Sequence, residues 1–341
     1  MHTIYIAGNF LSKINGVRGA GEDLAERLRM NGWKVITASS HPNRVQRLID
    51  LLWTAFSQRK IYQVALVEVY SDLAFRWAEI LCTFLRLLKK PYILTLHGGK
   101  LPEFADKNKK RVRKLLLSAR AVATPSQFLL HEFRSIRPSI VYLPNAIQLE
   151  HYPFSVRKDP KPNLIWLRAF HMIYVPKLAI EVLNRTLEDY PEAFLTMIGP
   201  DKGDGTYDET MSKIDEYSLH NNVQITGAIS KKDVGKFLSK GDIYLNTTMY
   251  ESFGVAVIEA AACGLCIVTT NVGELSYIWE DGVDALLVPP NNPDAMAAAV
   301  RRILKEPGLA ENLSRNARKK AESYDWSVIL PQWEKLINSV V

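Results

Sequence analysis

The chain has 341 residues, of which 47% are hydrophobic and 23% are charged. This composition excludes a globally disordered chain, and 18 glycines and 17 prolines are too few for a collagen-like or low-complexity protein. No apolar run reaches the ~20 residues that cross a bilayer, and the N-terminal MHTIYIAGNFL predicts a first strand rather than a signal peptide. Because three cysteines cannot build a disulfide framework, we expect a cytoplasmic protein, with two domains from its length.

The net charge of +7 is divided unevenly along the chain. Residues 1–150 hold 23 Lys and Arg against 11 Asp and Glu, whereas residues 151–341 hold 20 against 25. Six basic residues cluster at 107–114. A solvated helix face explains this cluster, and the more specific alternative is attraction to an anionic membrane. Nucleic acid would use the same field, but no helix-turn-helix, zinc-finger or RNA-binding signature accompanies it, and we expect no nucleic-acid partner.

Short apolar runs alternate with longer helical patterns through the first half of the chain. This alternation predicts parallel βαβ units with helices on both faces of a sheet. Strands are predicted at 4–8, 34–39, 63–69, 91–97, 121–126 and 140–145, with helices at 19–32, 44–58 and 72–88.

The predicted helix at 44–58 pairs basic residues with a stripe of Leu48, Leu51, Leu52, Trp53 and Phe56. Packing in the core is the interpretation that covers most of this stripe. A helix lying in a membrane interface is the alternative, favoured by the charge excess around it.

A break in the pattern at 151–163, which holds three prolines, predicts the domain boundary. The strand–helix alternation then restarts, so we expect two doubly wound domains, 1–152 and 153–324, whose facing strand ends leave a cleft. The remaining segment, 325–341, predicts a terminal helix interrupted by Pro331 that could return to the first domain.

Several common site patterns are absent from the sequence. The glycines of the first loop (Gly8, Gly16, Gly19 and Gly21) do not follow G-x-G-x-x-G, and no P-loop occurs, which disfavours a dehydrogenase or a P-loop nucleotidase. The pair Cys263 and Cys266 lies where a helix meets a buried strand, and packing explains it better than redox chemistry or zinc. Because no Asp-x-Asp occurs, we expect no metal, and any phosphate should be held by Lys, Arg and helix N-termini.

The most informative segment is 244–274, in which Glu251 precedes a predicted helix and Glu259 lies inside it. Eight residues of helix span ~12 Å, more than the ~5–9.5 Å between the paired carboxylates of glycosidases. The two glutamates are therefore poor candidates for one acid–base pair. They suit the two ends of one elongated ligand, with phosphates over the helix N-terminus between them.

The run from Glu251 to Gly264 resembles the E-x7-E signature of retaining glycosyltransferases of family 4, the glycosyl transferases group 1. Other segments resemble motifs of that family in the matching order, and together they cover nearly the whole chain. These segments are Thr95–Gly98, Thr124–Ser126, Leu143–Ala146, Ile198–Gly199 and Ile225–Gly227.

The resemblance implies a GT-B fold, with two Rossmann-like domains, an interdomain cleft and a nucleotide-sugar held mainly by the second domain. It implies that Glu259 binds the ribose, and that Arg168 and Lys177 bind the diphosphate. Glu251 and the amides of Ser252, Phe253, Gly254 and Val255 would hold the sugar, with Gly227 at a neighbouring strand end. His97 and the loop of Asn15 and Gly16 would face the sugar and the acceptor. The two basic residues stand farther apart than in the family's phosphate loop, so an ordinary surface role for Lys177 stays open.

From this resemblance we expect a retaining, metal-independent hexosyl- or N-acetylhexosaminyltransferase that uses a UDP- or GDP-type donor and needs no cofactor. The acceptor would be a glycan, a lipid-linked intermediate or a small molecule, reached from the cytoplasm or from the inner face of the membrane. Two alternatives stay open: another GT-B enzyme, such as a nucleotide-sugar epimerase or a sugar phosphorylase, and a non-enzymatic sugar-nucleotide sensor or nucleic-acid-binding protein.

Overall fold

The structure is a computed structural model that describes residues 2–12 and 19–341. The chain divides into two compact units: Met1–Asn145 with Trp326–Val341, and Ala146–Asp325. The structure places the division after Asn145, whereas the sequence predicts it after position 152. The physical reason is that the intervening residues pack with the second unit, since Ile147 forms a β-bridge with Asp325 and Tyr152 binds Glu259.

The first unit contains a six-stranded parallel sheet in the order β2-β1-β3-β4-β5-β6. Strands β1, β3 and β4 are almost wholly buried, as apolar strands of a parallel sheet covered on both faces are. The strands are β1 (Thr3–Ala7), β2 (Lys34–Ala38), β3 (Val64–Val69), β4 (Tyr92–Leu96), β5 (Ala121–Thr124) and β6 (Ile140–Tyr142).

The helices of the first unit follow the strands in the βαβ order that the sequence predicts. Asn43 starts the second of them by accepting hydrogen bonds from the N–H groups of Val45 and Gln46. The helices are α1 (Ala20–Met30), α2 (Arg44–Ser57), α3 (Asp72–Leu87), α4 (Leu101–Lys107), α5 (Lys109–Ser118) and α6 (Gln127–Phe133).

Core packing of the predicted five-residue stripe on α2, which the sequence favours, is wrong for two of its members. Leu51 is buried and contributes to the core, but Trp53 is 65% exposed and Phe56 is 42% exposed. Val45 and Ile49 on the same helix are exposed as well. The apolar side of the helix is therefore wider than its contact with the first unit: Leu51 and Ala55 pack in the core, and the four exposed side chains lie outside it.

The C-terminal helix, α14 (Trp326–Asn338), runs through Pro331 without interruption, so the predicted break is wrong. Proline removes a single backbone donor, and the buried side chains of Ile329, Trp333 and Ile337 hold the helix on both sides of it. This helix groups with the first unit and packs against α1, where Glu334 accepts a hydrogen bond from the Trp33 indole at 2.8 Å.

The second unit contains another six-stranded parallel sheet, in the order β12-β11-β10-β7-β8-β9. Its strands are β7 (Asn163–Leu167), β8 (Phe194–Ile198), β9 (Val223–Ile225), β10 (Ile243–Asn246), β11 (Cys266–Thr270) and β12 (Leu286–Val288). Its helices are α7 (Pro176–Leu187), α8 (Thr206–Glu216), α9 (Val234–Leu238), α10 (Val255–Ala262), α11 (Leu275–Ile278), α12 (Pro293–Lys305) and α13 (Leu309–Glu322).

The three cysteines are free and buried. Burial raises the pKa of Cys263 to about 11 and that of Cys266 to about 12, so both are thiols at neutral pH. Neither has the lowered pKa of a redox-active cysteine. Among the described residues, no helix has the length and apolar content that a membrane span requires.

Candidate functional site

Three strand ends meet at the carboxyl edge of the second sheet. Arg168 follows β7, Gly199 follows β8 and Gly227 follows β9. Their backbones are joined directly, since the N–H of Arg168 donates to the carbonyl of Ile198 and the N–H of Gly199 donates to the carbonyl of Gly227. A Cβ at Gly199 would overlap the carbonyl of Arg168, so this close approach requires glycine. The topology thus places Arg168 where ligands of open α/β sheets bind.

Arg168 forms a buried ion pair with Glu251, which the sequence did not predict. Nη2 of Arg168 lies 2.7 Å from Oε2 of Glu251, and each side chain is 11% exposed. Nε of Arg168 donates to Oδ1 of Asn246 at the end of β10. Burial, the largest single influence, acts to lower the pKa of Arg168. The Glu251 carboxylate, together with Glu259 and nearby tyrosines, outweighs burial and raises the pKa above its ordinary value. The guanidinium is therefore charged at physiological pH.

Glu251 also organises the start of α10. Its Oε1 accepts hydrogen bonds from the N–H groups of Ser252 and Phe253, at 3.0 and 3.2 Å. Gly254 follows with a φ of 92° and is the N-cap of the helix, which begins at Val255. A helix leaves its first N–H groups without partners inside the helix, and its N-terminus carries a partial positive charge. The structure therefore brings Glu251, Arg168 and a helix N-terminus together.

Glu259 is buried inside α10, with its side chain 5% exposed. The hydroxyl of Tyr152 donates to Oε1 of Glu259 at 2.6 Å, and Nζ of Lys231 donates to the same oxygen. The side chains of Glu251 and Glu259 are both shielded from bulk water. The hypothesis that they bind the two ends of one ligand requires this shielding. Tyr152 and Lys231 were missed because they lie in segments that carry no recognisable motif.

Lys177 lies in the first turn of α7, and its side chain is 45% exposed. Its Nζ donates to Oε2 of Glu209 on α8 at 2.8 Å, so a carboxylate occupies it here. The predicted phosphate role of Lys177 stays a prediction. Nearby, Nδ1 of His171 accepts from the N–H of Ile173, a contact within its own loop.

In the first unit, His97 follows β4, and its backbone N–H donates to the carbonyl of Val69. Its ring stacks on Tyr70, with centroids 5.2 Å apart and planes inclined by 21°. Burial lowers the pKa of His97 to about 4, so the imidazole is neutral at physiological pH. A neutral ring can accept a proton or a hydrogen bond at one nitrogen and donate at the other.

Behind Tyr70 lies Glu68, a carboxyl group that the sequence did not single out. Burial raises the pKa of Glu68 to about 7, and its contacts include a hydrogen bond with Tyr70. A Cβ at Gly8 or at Gly21 would overlap the carboxyl group, so the residue after β1 and the first turn of α1 both approach it closely. Asn15 and Gly16, the predicted acceptor-side residues of that loop, lie outside the described residues.

Among the described residues, no group of three or more His, Cys, Asp or Glu side chains is placed to hold a metal ion. The charged groups of the candidate site in the second unit are Arg168, Glu251, Glu259 and Lys231. Cations and a helix N-terminus beside carboxylates suit a ligand that carries both phosphate and hydroxyl groups.

Comparison with solved structures supports the fold. Sucrose-phosphate synthase from Thermosynechococcus elongatus superposes with a TM-score of 0.79 at 18% identity, covering 99% of each chain. Anabaena HepE, in complex with UDP and glucose, gives a TM-score of 0.79 at 16% identity and covers 99% of this chain and 100% of that one. With the two parallel sheets described above, these likenesses define the GT-B fold.

Residues 153–320, which lie within the second unit, match the family model described as "Glycosyl transferases group 1". Glycogen synthase from Mycobacterium tuberculosis is 28% identical over 202 residues, which are 56% of this chain and 46% of that relative. The chain thus aligns with less than half the length of that enzyme.

Proposed function

We propose that this protein is a retaining, metal-independent glycosyltransferase. It moves a hexosyl or N-acetylhexosaminyl group from a UDP- or GDP-sugar to a glycan, lipid-linked or small-molecule acceptor. The observation that carries the proposal is the buried pair of Arg168 and Glu251 at the N-terminus of α10, with Glu259 buried farther along the same helix. The match of residues 153–320 to the group 1 family model and the UDP and glucose bound by HepE support it.

The donor fits this arrangement from end to end. Glu259 accepts hydrogen bonds from the ribose hydroxyls, and Tyr152 and Lys231 hold its carboxylate in place. The diphosphate lies over the first N–H groups of α10 beside Arg168. The contacts of Arg168 with Glu251 and Asn246 use two of the five donors of a guanidinium, so the same residue can also bind a phosphate.

The chemistry follows from where charge develops. As the anomeric bond breaks, negative charge accumulates on the departing nucleoside diphosphate. Arg168 and the amides at Gly254 and Val255 stabilise that charge, and losing one such donor costs ~3–4 kcal/mol of transition-state stabilisation. Glu251, held by the amides of Ser252 and Phe253, positions the sugar. Retention follows from attack by the acceptor on the face that the leaving group vacates.

The first unit would supply the acceptor side. His97 is neutral at physiological pH and can accept a hydrogen bond from a sugar or acceptor hydroxyl. We propose that the enzyme works in the cytoplasm and contacts an anionic membrane through its basic first half. Nucleic acid is not expected as a partner.

A thermal-shift panel of uridine, guanosine and adenosine diphosphate sugars tests donor binding. A donor at 100 times its dissociation constant should add ~2.7 kcal/mol of stability. We expect at least one uridine or guanosine sugar to stabilise the chain. The absence of any response, together with salt-sensitive polynucleotide binding, would instead support a nucleic-acid-binding protein.

Slow hydrolysis of the stabilising donor tests catalysis without knowledge of the acceptor. We expect Glu251→Ala to abolish it, because the variant loses the group that orients the sugar and leaves Arg168 unpaired. Glu192→Ala is the matched control, since Glu192 is exposed in the same unit. Equal hydrolysis by the two variants would contradict the proposed role of Glu251.

A further inference from the structure

Helix α2 carries a row of four large apolar side chains, Val45, Ile49, Trp53 and Phe56, that stay largely exposed in the described chain; we call this row the exposed stripe. Val45 is 68% exposed, Ile49 is 61%, Trp53 is 65% and Phe56 is 42%. Their spacing of four, four and three residues places them on one side of the helix. A soluble surface normally scatters its large apolar side chains singly, so an aligned row of four indicates a surface that is covered in use.

The surroundings of this stripe are basic. The segment 44–60 has four basic residues, Arg44, Arg47, Arg59 and Lys60, against one acidic residue, Asp50. The guanidinium carbon of Arg59 lies 4.0 Å from the centroid of the Phe56 ring. Trp53 and Phe56 are near neighbours, with ring centroids 6.5 Å apart.

Two neighbouring helices add further exposed apolar residues and further basic residues to this surface. Helix α3 packs against α2 and exposes Leu73, Ile80 and Leu87, which are spaced by seven residues and so share a face. Arg111 of α5 is joined to Glu79 of α3 by an ion pair. Through that link, α5 adds the exposed cations of the basic cluster to the same layer of helices, namely Lys109, Lys110, Arg113 and Lys114.

We propose that the exposed stripe of Val45, Ile49, Trp53 and Phe56 inserts into the interfacial region of an anionic phospholipid bilayer, with α2 parallel to the membrane plane. Trp and Phe favour the boundary between headgroups and acyl chains, and flanking Arg and Lys bind anionic headgroups. The inference specifies the membrane contact included in the proposed function, and its test does not depend on transferase activity.

A second copy of the chain and a nucleic acid both fit the exposed stripe less well than a bilayer does. A two-fold interface between copies would bring the same basic surface together with itself, which places like charges opposite each other. A nucleic acid would be attracted by the cations, but it offers no apolar phase for the large uncovered side chains. A bilayer with anionic lipids satisfies both the apolar row and its basic border.

The test is co-sedimentation of the whole chain with vesicles in the absence of any nucleotide sugar. The vesicles are phosphatidylcholine alone, or phosphatidylcholine and phosphatidylglycerol at about 7:3, a composition that gives the surface a negative potential. We expect binding to the anionic vesicles at about 0.15 M salt, weaker binding at about 1 M salt because charges are screened there, and little binding to phosphatidylcholine alone.

The variant Trp53→Ser with Phe56→Ser should lower the partition coefficient at least about tenfold, because it removes the two aromatic anchors. Val283→Ser is the control, as Val283 is 40% exposed in the second unit. Because Trp53 and Phe56 are exposed, the double variant should keep the melting temperature and donor hydrolysis of the parent protein.

Equal sedimentation of the parent protein and the double variant would overturn the proposal, as would no binding to anionic vesicles. Self-association that the double variant abolishes would overturn it too and would make the stripe an interface between copies. Absent donor hydrolysis in every variant would contradict the proposed function and leave the vesicle result unaffected.

Discussion

Arg168 and Glu251 bind each other across 2.7 Å although 83 positions separate them in the chain. The pair joins the end of β7 to the loop before α10, two segments brought together by the neighbouring strands β7 and β10. It fixes a cation and a carboxylate beside the same helix N-terminus. The stability of this region and the proposed binding of the donor therefore depend on the same two side chains.

Removing one partner should cost more stability than removing both charges. We expect Arg168→Met to lower the free energy of unfolding of the second unit by about 3–5 kcal/mol, because it leaves a buried carboxylate without a cation. Adding Glu251→Gln to that variant should restore part of the loss. Both proteins should lack donor hydrolysis. Urea unfolding of the two variants checks this, and a double variant less stable than Arg168→Met would contradict the pairing.

Glu259 should affect donor affinity more than stability. We expect Glu259→Gln to weaken binding of the nucleoside diphosphate by about tenfold or more, because a hydrogen bond to a charged group contributes ~1.5–3 kcal/mol. Tyr152→Phe should have a smaller effect in the same direction, since it only frees the carboxylate to turn. Isothermal titration calorimetry measures both, with Glu192→Gln as the control. Unchanged affinity in Glu259→Gln would show that this carboxylate does not bind the ribose.

The two titrating groups of the first unit should oppose each other as pH changes. Burial raises the pKa of Glu68 from 4.5 to about 7, so the folded state holds a proton that the unfolded state has lost. Stability from this group is present below pH 4.5 and declines up to about pH 7, by ~3 kcal/mol in all. The pKa of His97 is lowered from 6.5 to about 4, so its contribution is present above pH 6.5 and is lost as pH falls.

The variant Glu68→Gln separates these two effects. Without Glu68, the stability of the first unit should rise steadily between about pH 4 and pH 6.5, the interval between the lowered pKa of His97 and its ordinary value. The parent protein should show a flatter profile there and a decline towards pH 7. Urea unfolding at several pH values measures the difference, and parallel profiles for the two proteins would show that Glu68 does not titrate as proposed.

The close approach of β8 to Arg168 gives a fourth prediction. Gly199→Ala should cost well over the ~1–2 kcal/mol of a left-handed non-glycine residue, because its Cβ would also overlap the Arg168 carbonyl. Gly282→Ala is the matched control, with a φ of +75° and open space around the added Cβ. We expect donor binding to be lost only in Gly199→Ala. Equal melting temperatures for the two variants would contradict this.

The repeated βαβ order of the two sheets could be predicted from the sequence because apolar periodicity is a local property. The spacing of Glu251 and Glu259 likewise placed both on or beside one helix, and the buried positions of both side chains agree with it. The sequence could not show that α14 continues through Pro331, because a proline can kink a helix, end it or be tolerated within it. Nor could it show which apolar residues of α2 are buried, because the same residues suit a core or an exposed face.

The chain itself determined which segments become strands and helices, and that Glu251 lies before α10 and Glu259 inside it, since those patterns repeat over a few residues. Only the tertiary structure decided that Arg168 pairs with Glu251, that Tyr152 and Lys231 hold Glu259, and that Glu68 supports Tyr70 behind His97. Most of these partners lie tens of residues apart or more, and which of them meet depends on strand order. Strand order is a property of the whole sheet, so no local pattern encodes it.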